Sequence, residues 1–167
     1  MLALALAVLC QEDPDIARGV RVFETYMSAM KKAEYETAAD CMHPKTLTKM
    51  RAAVVGGVER RSDEEKARVA EFFGFKAWKE LGEASDRTFF VHFCRNMGKM
   101  GTNVTDVVAK AEAKVMATAK REGRVYVVVE LAFKDQGEDQ ALETLFVLYK
   151  DGETWKLANR GETNIGK

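Results

Sequence analysis

The chain has 167 residues, a length at which one hydrophobic core and one domain are expected. Lysine and arginine together number 26, and aspartate and glutamate also number 26, so the formal net charge is zero. A chain with this balance has no overall field that attracts nucleic acid or an anionic membrane. Composition therefore excludes proteins that bind either of these by their net charge.

Apolar residues fill the first positions of the chain, from Leu2 to Leu9. This run is less than half of the roughly 20 residues that a membrane-spanning helix needs, and it is typical of the core of a signal peptide. Cleavage after Cys10 would leave a mature chain that begins at Gln11. We therefore expect residues 1–10 to be a signal peptide and the protein to be exported, periplasmic or extracellular.

Two other interpretations of this segment stay open. No lysine or arginine precedes the apolar run, although signal peptides usually carry one, so the segment could instead be a structural N-terminus. A lipidated Cys10 would anchor the protein to a membrane, but Leu9 is larger than the residue that normally precedes a lipidated cysteine. Membrane attachment is expected only in that second case.

An amphipathic helix is predicted after Pro14, with its end near Lys31. A shorter helix is predicted from Tyr35 to Met42, and it stops there because the residue before Pro44 is pushed out of the helical region. The first helix carries apolar residues at intervals of three and four, as on one face of a helix: Ile16, Val20, Phe23, Met27 and Met30.

Further helices are predicted in the middle of the chain. One runs from Thr46 to Val55, and Gly56-Gly57 should end it, because glycine is the usual residue just past a helix. Ser62 and Glu65 have the spacing of a capping box, which predicts that another helix starts there.

Ser85 opens a last predicted helix before the sheet. Aromatic side chains are dense in this region, and such large apolar groups must be buried. We expect them to cover the concave side of the sheet described next. They are Phe72, Phe73, Phe75, Trp78, Phe89, Phe90 and Phe93.

Four strands with short turns are predicted in the last third of the chain. In the first, from Val107 to Ala119, apolar residues occupy every odd position, which is the period of a half-buried strand. The second, from Arg124 to Lys134, repeats this pattern after a turn at Glu122-Gly123. Together they indicate an antiparallel hairpin with one apolar face.

The apolar pattern also predicts how the first two strands pair. A three-residue loop would place Ala119 opposite Val125 and Val115 opposite Val129, so that small residues face large ones on one side of the sheet. A two-residue loop would instead place Val115 opposite Glu130 and mix the faces. The sequence therefore favours the longer loop.

The third strand is predicted from Leu142 to Lys150 and the fourth from Thr154 to Asn159. Between the second and third strands, Asp135 to Gln140 is polar and contains a glycine, so an exposed loop is expected there. The dipeptide Asp151-Gly152 fits a type I′ turn between the last two strands.

That turn would place Leu148 opposite Trp155 and Phe146 opposite Leu157. The predicted architecture is therefore α+β, with N-terminal helices packed on a curved, antiparallel, four-stranded C-terminal meander.

Three parts of the sequence resemble the nuclear transport factor 2-like superfamily, whose fold is also described as cystatin-like. They are the first helix at residues 20–32 (VRVFETYMSAMKK), residues 34–39 (EYETAA) with His43-Pro44, and the closing hairpin at residues 148–157 (LYKDGETWKL). The resemblance implies that a bent sheet wraps a long helix to form a cone with a pocket at its wide end.

Members of that superfamily include ketosteroid isomerases, dehydratases, polyketide cyclases and many non-catalytic binders, and dimerisation through the sheet is common. The resemblance therefore predicts a fold and says little about activity. Residues 11–167 would form one such domain. The chain departs from the family around residues 46–97, which are predicted to be helical where a first β-hairpin is usual. These helices would cover or fill the pocket.

No catalytic or metal-binding motif occurs in the sequence, and no cofactor is predicted. The isomerases and dehydratases of the superfamily place a Tyr, Asp or His inside the cone, which makes Asp40 a further residue of a suitable type. We expect it to be a solvated helix residue. Six residues are candidates for lining a pocket: Tyr26, Tyr35, His43, Trp78, His92 and Trp155.

Each pocket candidate also has a structural interpretation, and that one is favoured. His43 is expected to terminate a helix rather than to act as a base, and His92 to lie at the polar edge of a helix. The two tyrosines are expected to be core aromatics with their hydroxyls at the rim. Trp78 and Trp155 could form a wall that stacks on a ligand, but core packing is the favoured explanation for both.

Cysteine usage leaves two interpretations open. No pair has metal-ligand spacing, and removal of a signal peptide would leave Cys41 and Cys94 as an even pair. In an oxidising compartment these two could form a disulfide. The alternative, which we favour, is that both are small buried apolar residues on helix faces.

Two functions follow from these patterns. The leading one is a non-catalytic exported domain that binds a small apolar molecule or a protein partner through its cone or its sheet face. If the partner is a second copy of the chain, a homodimer would form through the sheet. The alternative is an isomerase or lyase with a buried acid and base. An enzyme would need one of the titratable candidates beside an enclosed cavity.

Overall fold

The computed structural model describes residues 13–97, 110–135 and 138–158. Within these ranges the protein is α+β, and six helices precede a four-stranded antiparallel sheet whose strands neighbour one another in chain order. The helices are α1 (Pro14–Lys31), α2 (Tyr35–Cys41), α3 (Pro44–Val58), α4 (Asp63–Phe72), α5 (Trp78–Glu83) and α6 (Asp86–Met97). The strands are β1 (Glu112–Arg121), β2 (Arg124–Asp135), β3 (Glu138–Asp151) and β4 (Thr154–Ala158). The predicted signal segment and the predicted start of the first strand lie outside the described residues.

Local sequence explains where α1 begins and which face it buries. The Asp13 carboxylate accepts a hydrogen bond from the backbone N–H of Asp15 at 2.9 Å, and Pro14 occupies the first turn, where a missing N–H costs nothing. Phe23 and Met27 lie on the buried face, as their spacing predicts. The predicted first helix is confirmed.

α1 packs on one face of the sheet, which we call the inner face; the opposite face is the outer face. Across this contact the Phe23 ring lies 4.8 Å from the Phe146 ring. The buried inner-face side chains come from alternate positions of three strands: Val125, Val127, Val129, Leu131, Leu148, Trp155 and Leu157. Together with α1, α2 and part of α6 they form the main core.

The turn between β1 and β2 is shorter than the predicted three-residue loop. Glu122 and Gly123 have φ angles of 51° and 71°, as the two central residues of a type I′ turn require. Lys120 therefore pairs with Val125, and the predicted pairing of Ala119 with Val125 is wrong.

A β-bulge at Met116 corrects the register further along the same hairpin. Ala117 pairs with Val128, and the next pair is Val115 with Val129. One extra residue in β1 thus returns the apolar positions to the inner face. The predicted pairing of Val115 with Val129 is confirmed, although it is reached by a bulge instead of a longer loop.

The turn between β3 and β4 lies one residue later than predicted. Asp151 pairs with Thr154, so Gly152 and Glu153 are the two loop residues. Gly152 has a φ of 58°, and neither Asp151 nor Glu153 has a positive φ. A positive φ at the first central position is the property of a type II′ turn, so the predicted type I′ turn is wrong.

This later turn moves the cross-strand partners by two residues and leaves the faces unchanged. Leu148 pairs with Leu157, where Trp155 was predicted. Because side chains alternate with a period of two, a shift of two residues keeps all three on the inner face. The predicted apolar face of this hairpin is therefore confirmed, and its exact pairing is not.

The connection between β2 and β3 is also shorter than predicted. The polar stretch from Asp135 to Gln140 suggested an exposed loop, but Asp135 pairs with Glu138. Residues 136–137 between them lie outside the described ranges. Polar side chains suit the exposed end of a hairpin as well as a loop, so composition did not distinguish the two.

α3 continues through the glycines that were predicted to end it. Gly56 and Gly57 lie inside the helix, which ends at Val58. Glycine ends a helix when it takes a positive φ, and neither residue does so. The backbone N–H of Glu59 still bonds to the carbonyl of Val55 at 2.9 Å, as in a regular helix.

Side-chain caps open two of the later helices, as predicted. At α4 the Ser62 hydroxyl accepts from the Glu65 N–H at 3.3 Å, and the Glu65 carboxylate accepts from the Ser62 N–H at 3.2 Å. At α6 the Ser85 hydroxyl accepts from the Thr88 N–H at 3.0 Å. These reciprocal bonds satisfy N–H groups that have no partner inside a helix.

Helices α3 to α6 enclose a second core of their own. Phe90 joins the main core, while Phe72 is 36% exposed. The expectation that the aromatic residues cover the sheet is therefore wrong for most of them, because four consecutive helices can bury large side chains against one another. The buried members of the second core are Ala70, Phe73, Phe75, Leu81 and Phe89.

The chain between α2 and α3 lies beside β4. Met42 forms an isolated parallel bridge with Leu157, and the backbone N–H of His43 donates to the Leu157 carbonyl at 2.7 Å. The helical stretch α3–α6 is thus connected to the sheet at this point.

Candidate functional site

Tyr26 and Tyr35 are both half-buried against the main core. Burial raises the pKa of the Tyr26 hydroxyl, and the nearby thiols of Cys94 and Cys41 raise it further. A phenol in this setting keeps its proton at neutral pH. The structural interpretation of Tyr26 as a core aromatic fits this position.

Cys41 and Cys94 are buried and are free thiols in the structure. Burial raises the pKa of the Cys94 thiol to about 12 and also raises that of Cys41. Because the thiolate is the reactive form, neither side chain has the properties of an activated nucleophile.

His43 is buried and caps the N-terminus of α3. Its Nδ1 accepts a hydrogen bond from the backbone N–H of Lys45 at 3.2 Å. The edge of its ring faces Tyr149, with the ring centroids 6.2 Å apart. The residue thus lies at a helix boundary, as predicted, but at the start of a helix.

Trp78 and His92 lie in the helical stretch, away from the sheet. Trp78 packs against the second core. His92 stacks on Phe75 with ring centroids 4.4 Å apart, and its Nδ1 lies 3.0 Å from the carbonyl oxygen of Phe73. The imidazole borders an open surface groove of about 570 Å³.

Trp155 is buried on the inner face beside the start of α1. Its Nε1–H donates to the Asp15 carboxylate at 3.4 Å. Lys120 of β1 binds the same carboxylate at 2.5 Å and the Asp13 carboxylate at 3.1 Å. These bonds attach the first turn of α1 to both edge strands of the sheet.

The same bonds change the acidity of the two carboxyls. The hydrogen bond from Lys120 lowers the pKa of Asp15, against the opposing effect of burial. For Asp13 the backbone N–H of Asp15 is the main cause of a lowered pKa, and Lys120 adds to it. Both side chains are therefore ionised at neutral pH, and the cluster holds two structural ion pairs.

The six pocket candidates are not brought together. Tyr26 and Tyr35 lie in the main core, His43 at the junction of α2 with α3, Trp78 and His92 in the helical stretch, and Trp155 at the start of α1. Asp40 is exposed and paired with Arg87 at 2.7 Å. Of three cavities found in the described part of the chain, one is lined by one of the six, His92.

A different groove lies between α1 and the edge strand β1. It consists of two adjoining cavities of about 390 Å³ and 370 Å³ that share Val115. The first is lined by Phe23, Glu24, Met27, Ser28, Lys31, Ala113 and Val115. The second is lined by Ile16, Ala17, Val20, Val115, Met116, Ala117 and Thr118.

The groove exists because β1 contributes small side chains opposite a helix with large ones. Ala113 and Thr118 are exposed, and Val115 is half-buried, so α1 does not close against this strand. Met116, at the bulge, is 47% exposed. From Ile16 to Lys31 the helix rises roughly 22 Å, so the two cavities form an elongated site.

The first cavity has a lining that is more apolar than polar, whereas the second exposes more polar than apolar surface. Glu24 and Lys31, both exposed, are the ionisable side chains among the groove's described lining residues, and both border the first cavity. Ser28 and Thr118 add one hydroxyl to each cavity. Such a site can hold an apolar molecule, and these few polar groups can orient it.

Sequence reasoning missed every residue of this groove. One signal was present: the inward positions of the first predicted strand are mainly alanine, while the first helix carries Phe23 and Met27. If both α1 and β1 carried small residues where they face each other, the two could pack closely. Because α1 is held on β2 and β3 and carries large residues, the alanines of β1 leave a gap.

Within the described ranges, no group of three or more metal-ligating side chains is arranged to hold a metal ion. None of the helices described is both long enough and apolar enough to cross a bilayer.

Comparison of the chain with protein-family models, with curated proteins and with solved structures finds no match in any of the three.

Proposed function

We propose that this protein is a non-catalytic exported domain of the nuclear transport factor 2-like type, and that the groove between α1 and β1 holds a small apolar molecule. The observation that carries the proposal is the pair of adjoining cavities that share Val115, of which the first, beside Phe23 and Met27, is the more apolar. Their volumes lie within the range of roughly 300–1,000 Å³ that is usual for small-molecule sites.

Two features support kinship with that superfamily. A long N-terminal helix packs on the inner face of an antiparallel meander, and the groove lies between the two, where the cone of the superfamily has its pocket. The helical stretch α3–α6 takes the place of the first hairpin, and it packs mainly on itself and on α2. On this proposal the pocket opens along β1.

The positions of the titratable candidates favour binding over catalysis. An isomerase or lyase needs an acid and a base that face the same substrate. Tyr26 keeps its proton because burial raises its pKa. His43 uses Nδ1 as a helix cap, and His92 borders a separate groove. We therefore propose a binding protein and not an isomerase or lyase.

Nile red, a neutral apolar dye, tests the groove. Wild-type protein should bind it with a saturable increase in fluorescence. Ala113→Trp places a large side chain in the first cavity and should weaken binding by roughly tenfold or more. Ala119→Trp is the matched control, because Ala119 is exposed on the same strand and pairs with Tyr126 on the outer face.

Equal affinity of the two tryptophan variants, or no saturable binding by the wild type, would contradict the proposal. Circular dichroism and urea unfolding of both variants show whether either substitution disturbs the fold. N-terminal sequencing of protein recovered outside the cytoplasm tests export, for which the expected first residue is Gln11.

The outer face of the sheet favours a second copy of this chain as a protein partner. Its centre is apolar, with Leu145 at 42% exposed among the half-buried Tyr126, Val128 and Val147. One end carries the basic row of Arg121, Arg124 and Lys156, and the other carries Glu130 paired with Glu143, beside Lys114. A two-fold antiparallel arrangement would place each basic row near the acidic pair of the other copy.

Sedimentation equilibrium tests this self-association. We expect a dimer that Arg124→Glu weakens and that the exchanged pair Arg124→Glu with Glu143→Arg restores. High salt should weaken the wild-type dimer, since the end contacts are exposed charges. A monomer at every concentration would contradict the dimer and leave the apolar groove unaffected.

A further inference from the structure

The two histidines of the chain have opposite hydrogen-bonding roles. Nδ1 of His43 accepts from the backbone N–H of Lys45, and a backbone N–H can only donate, so this nitrogen carries no proton. Nδ1 of His92 faces the carbonyl oxygen of Phe73 at 3.0 Å, and a carbonyl can only accept, so this nitrogen does carry one.

The two rings therefore respond differently to acid. His92 can take a second proton on Nε2 and keep its bond to Phe73. His43 becomes an imidazolium only by adding a proton to Nδ1, which ends its bond to the Lys45 N–H. The folded state thus opposes a charged His43.

The surroundings of His43 add to this opposition. Its side chain is buried at the N-terminus of α3, where the helix dipole is positive. Tyr149, from β3, faces its ring, and the Arg124 guanidinium of β2 lies 5.2 Å from the centre of the Tyr149 ring. A positive imidazole would therefore add its charge to the positive end of the α3 dipole.

Among the described residues, the neighbouring elements α2, α3, α6 and β4 also carry charged groups. Lys45 is on α3 itself. Lys156 of β4 bonds through Nζ to the backbone oxygen of Asp40 in α2. The Asp40 carboxylate makes two bonds to Arg87 of α6, at 2.7 Å and 3.0 Å, and these bonds lower its pKa.

His43 also lies at a joint of the fold. Its backbone N–H donates to the Leu157 carbonyl of β4, and the neighbouring Met42 bridges to the same residue. Its side chain opens α3, the first helix of the stretch that ends at Met97. The backbone of His43 therefore connects β4 to the helical stretch, and its ring caps the first helix of that stretch.

We propose that His43 is a pH-sensitive joint, which holds the start of α3 against β4 while its ring is neutral and loosens that contact when the ring is protonated. Because the folded state favours the neutral ring, the stability that it contributes is complete above the ordinary histidine pKa of about 6.5 and decreases below it. If the folded state excludes the proton fully, the folding equilibrium constant falls roughly tenfold for each pH unit.

The acidic side chains act in a lower range of pH. Bonds to the Asp15 N–H and to Arg87 lower the pKa values of Asp13 and Asp40, respectively. Carboxyls of this kind contribute stability down to a pH of about 4 and lose it below. Since the chain has two histidines, a loss of stability between those ranges can be assigned to one of them by substitution.

Urea unfolding of the full chain at pH values of about 7.5, 6.5 and 5.5, which bracket the histidine range, tests the proposal. Wild-type protein should lose roughly fivefold in the folding constant between the last two values, because the fall approaches tenfold for each pH unit only well below the histidine pKa. His43→Asn keeps a cap that cannot titrate and should remove this loss. His92→Asn is the matched control and should retain it.

A wild-type folding constant that is unchanged across this range, or a loss that follows His92, would overturn the proposal. Histidine ring titration by NMR in the wild type provides a readout that does not depend on the folding of a variant. The His43 ring should stay neutral below a pH of about 6.5, where an ordinary histidine becomes charged. Titration of the His43 ring at that ordinary value would also overturn it.

Amide hydrogen exchange locates the effect. After correction for the intrinsic pH dependence of exchange, lowering the pH should speed the exchange of α3 amides more than that of β2 amides. Uniform acceleration of both elements would show that acid acts elsewhere in the molecule, and the joint would then be rejected.

Discussion

Gly19 of α1 lies so close to Val125 of β2 that a Cβ built on the glycine would be 2.8 Å from the Val125 Cγ1 atom and 3.1 Å from its Cβ. The absence of a side chain at position 19 thus sets how closely α1 approaches the sheet. Val125 is fully buried on the inner face, so it has no free space into which to move. This contact seats the helix on β2 and leaves the gap at β1.

Gly19→Ala should destabilise the fold, although alanine is the better helix former. The added methyl group overlaps a stiff β-branched side chain in a packed core, and such overpacking costs about 1–3 kcal/mol. Combining it with Val125→Ala should relieve the clash and give a coupling energy of about 0.5–3 kcal/mol in a double-mutant cycle. Urea unfolding measures all four proteins.

Gly82→Ala is the control for this cycle. Gly82 also lies in a helix, and a Cβ there meets nothing within 4 Å. That variant should be neutral or slightly more stable than the wild type. Strict additivity of Gly19→Ala and Val125→Ala would contradict the contact.

Gly56→Ala and Gly57→Ala should each stabilise the protein, by up to about 1 kcal/mol. Both glycines lie inside α3 with ordinary helical φ, and a Cβ at either position meets open space. The gain arises because alanine loses less backbone entropy when the helix forms. Thermal unfolding measures it.

Gly123→Ala gives the opposite sign and serves as the comparison. Gly123 has a φ of +71°, a conformation that a residue with a Cβ adopts only with strain, although the surrounding space is open. A destabilised Gly56→Ala would show that these helix positions need glycine for a reason other than helix formation.

Lys120→Met should reduce the loss of stability in acid. Lys120 binds the carboxylates of Asp13 and Asp15, and it lowers the pKa of both. A lowered carboxyl pKa contributes stability that is present above the ordinary value and is lost as the pH falls through the folded value. The wild type should therefore weaken more steeply than the variant below a pH of about 4.

Urea midpoints at pH values of about 6 and 3 measure this difference, and added salt should diminish it. Lys79→Met is the matched control, because Lys79 pairs with Glu83 on an exposed helix surface at 3.8 Å. Parallel acid profiles for wild type and Lys120→Met would show that the ion pairs at the start of α1 do not stabilise the fold.

Native protein should resist thiol labelling at Cys94. Its thiol is 2% exposed, and burial raises its pKa to about 12, so little thiolate is present near neutral pH. Cys41, at 9% exposed, should label faster, and both should label at similar rates in urea. Mass spectrometry of the two peptides measures each rate.

Oxidised protein provides the test of the predicted disulfide. If Cys41 and Cys94 were bonded to each other, both would stay unlabelled in urea until a reductant was added. Labelling of Cys94 in the native state at its unfolded rate would contradict its burial.

Several features of the fold could be predicted from local sequence. The stripe through Phe23 and Met27 predicts the buried face of α1, and Ser62 with Glu65 predicts the start of α4. These predictions succeed because helix spacing and capping involve residues within a few positions of one another.

Predictions that required distant groups to meet were less successful. The turn at Glu122-Gly123 was predicted one residue too long, because a bulge at Met116 restores the apolar register and alternation alone does not reveal it. The aromatic residues around Phe73 were assigned to the sheet, yet they are buried against other helices.

The candidate site depended most on tertiary structure. Residues such as His92 and Trp155 have chemically suitable side chains, but the fold places them in separate regions, whereas the groove is lined by residues as plain as Ala113 and Val115. By itself the sequence determined the type and order of the helices and strands, except for the short helix α5, because these follow from interactions between near neighbours in the chain. Tertiary structure decided where space remains between them, because a gap depends on how closely Gly19 allows α1 to approach β2, and no local pattern records that distance.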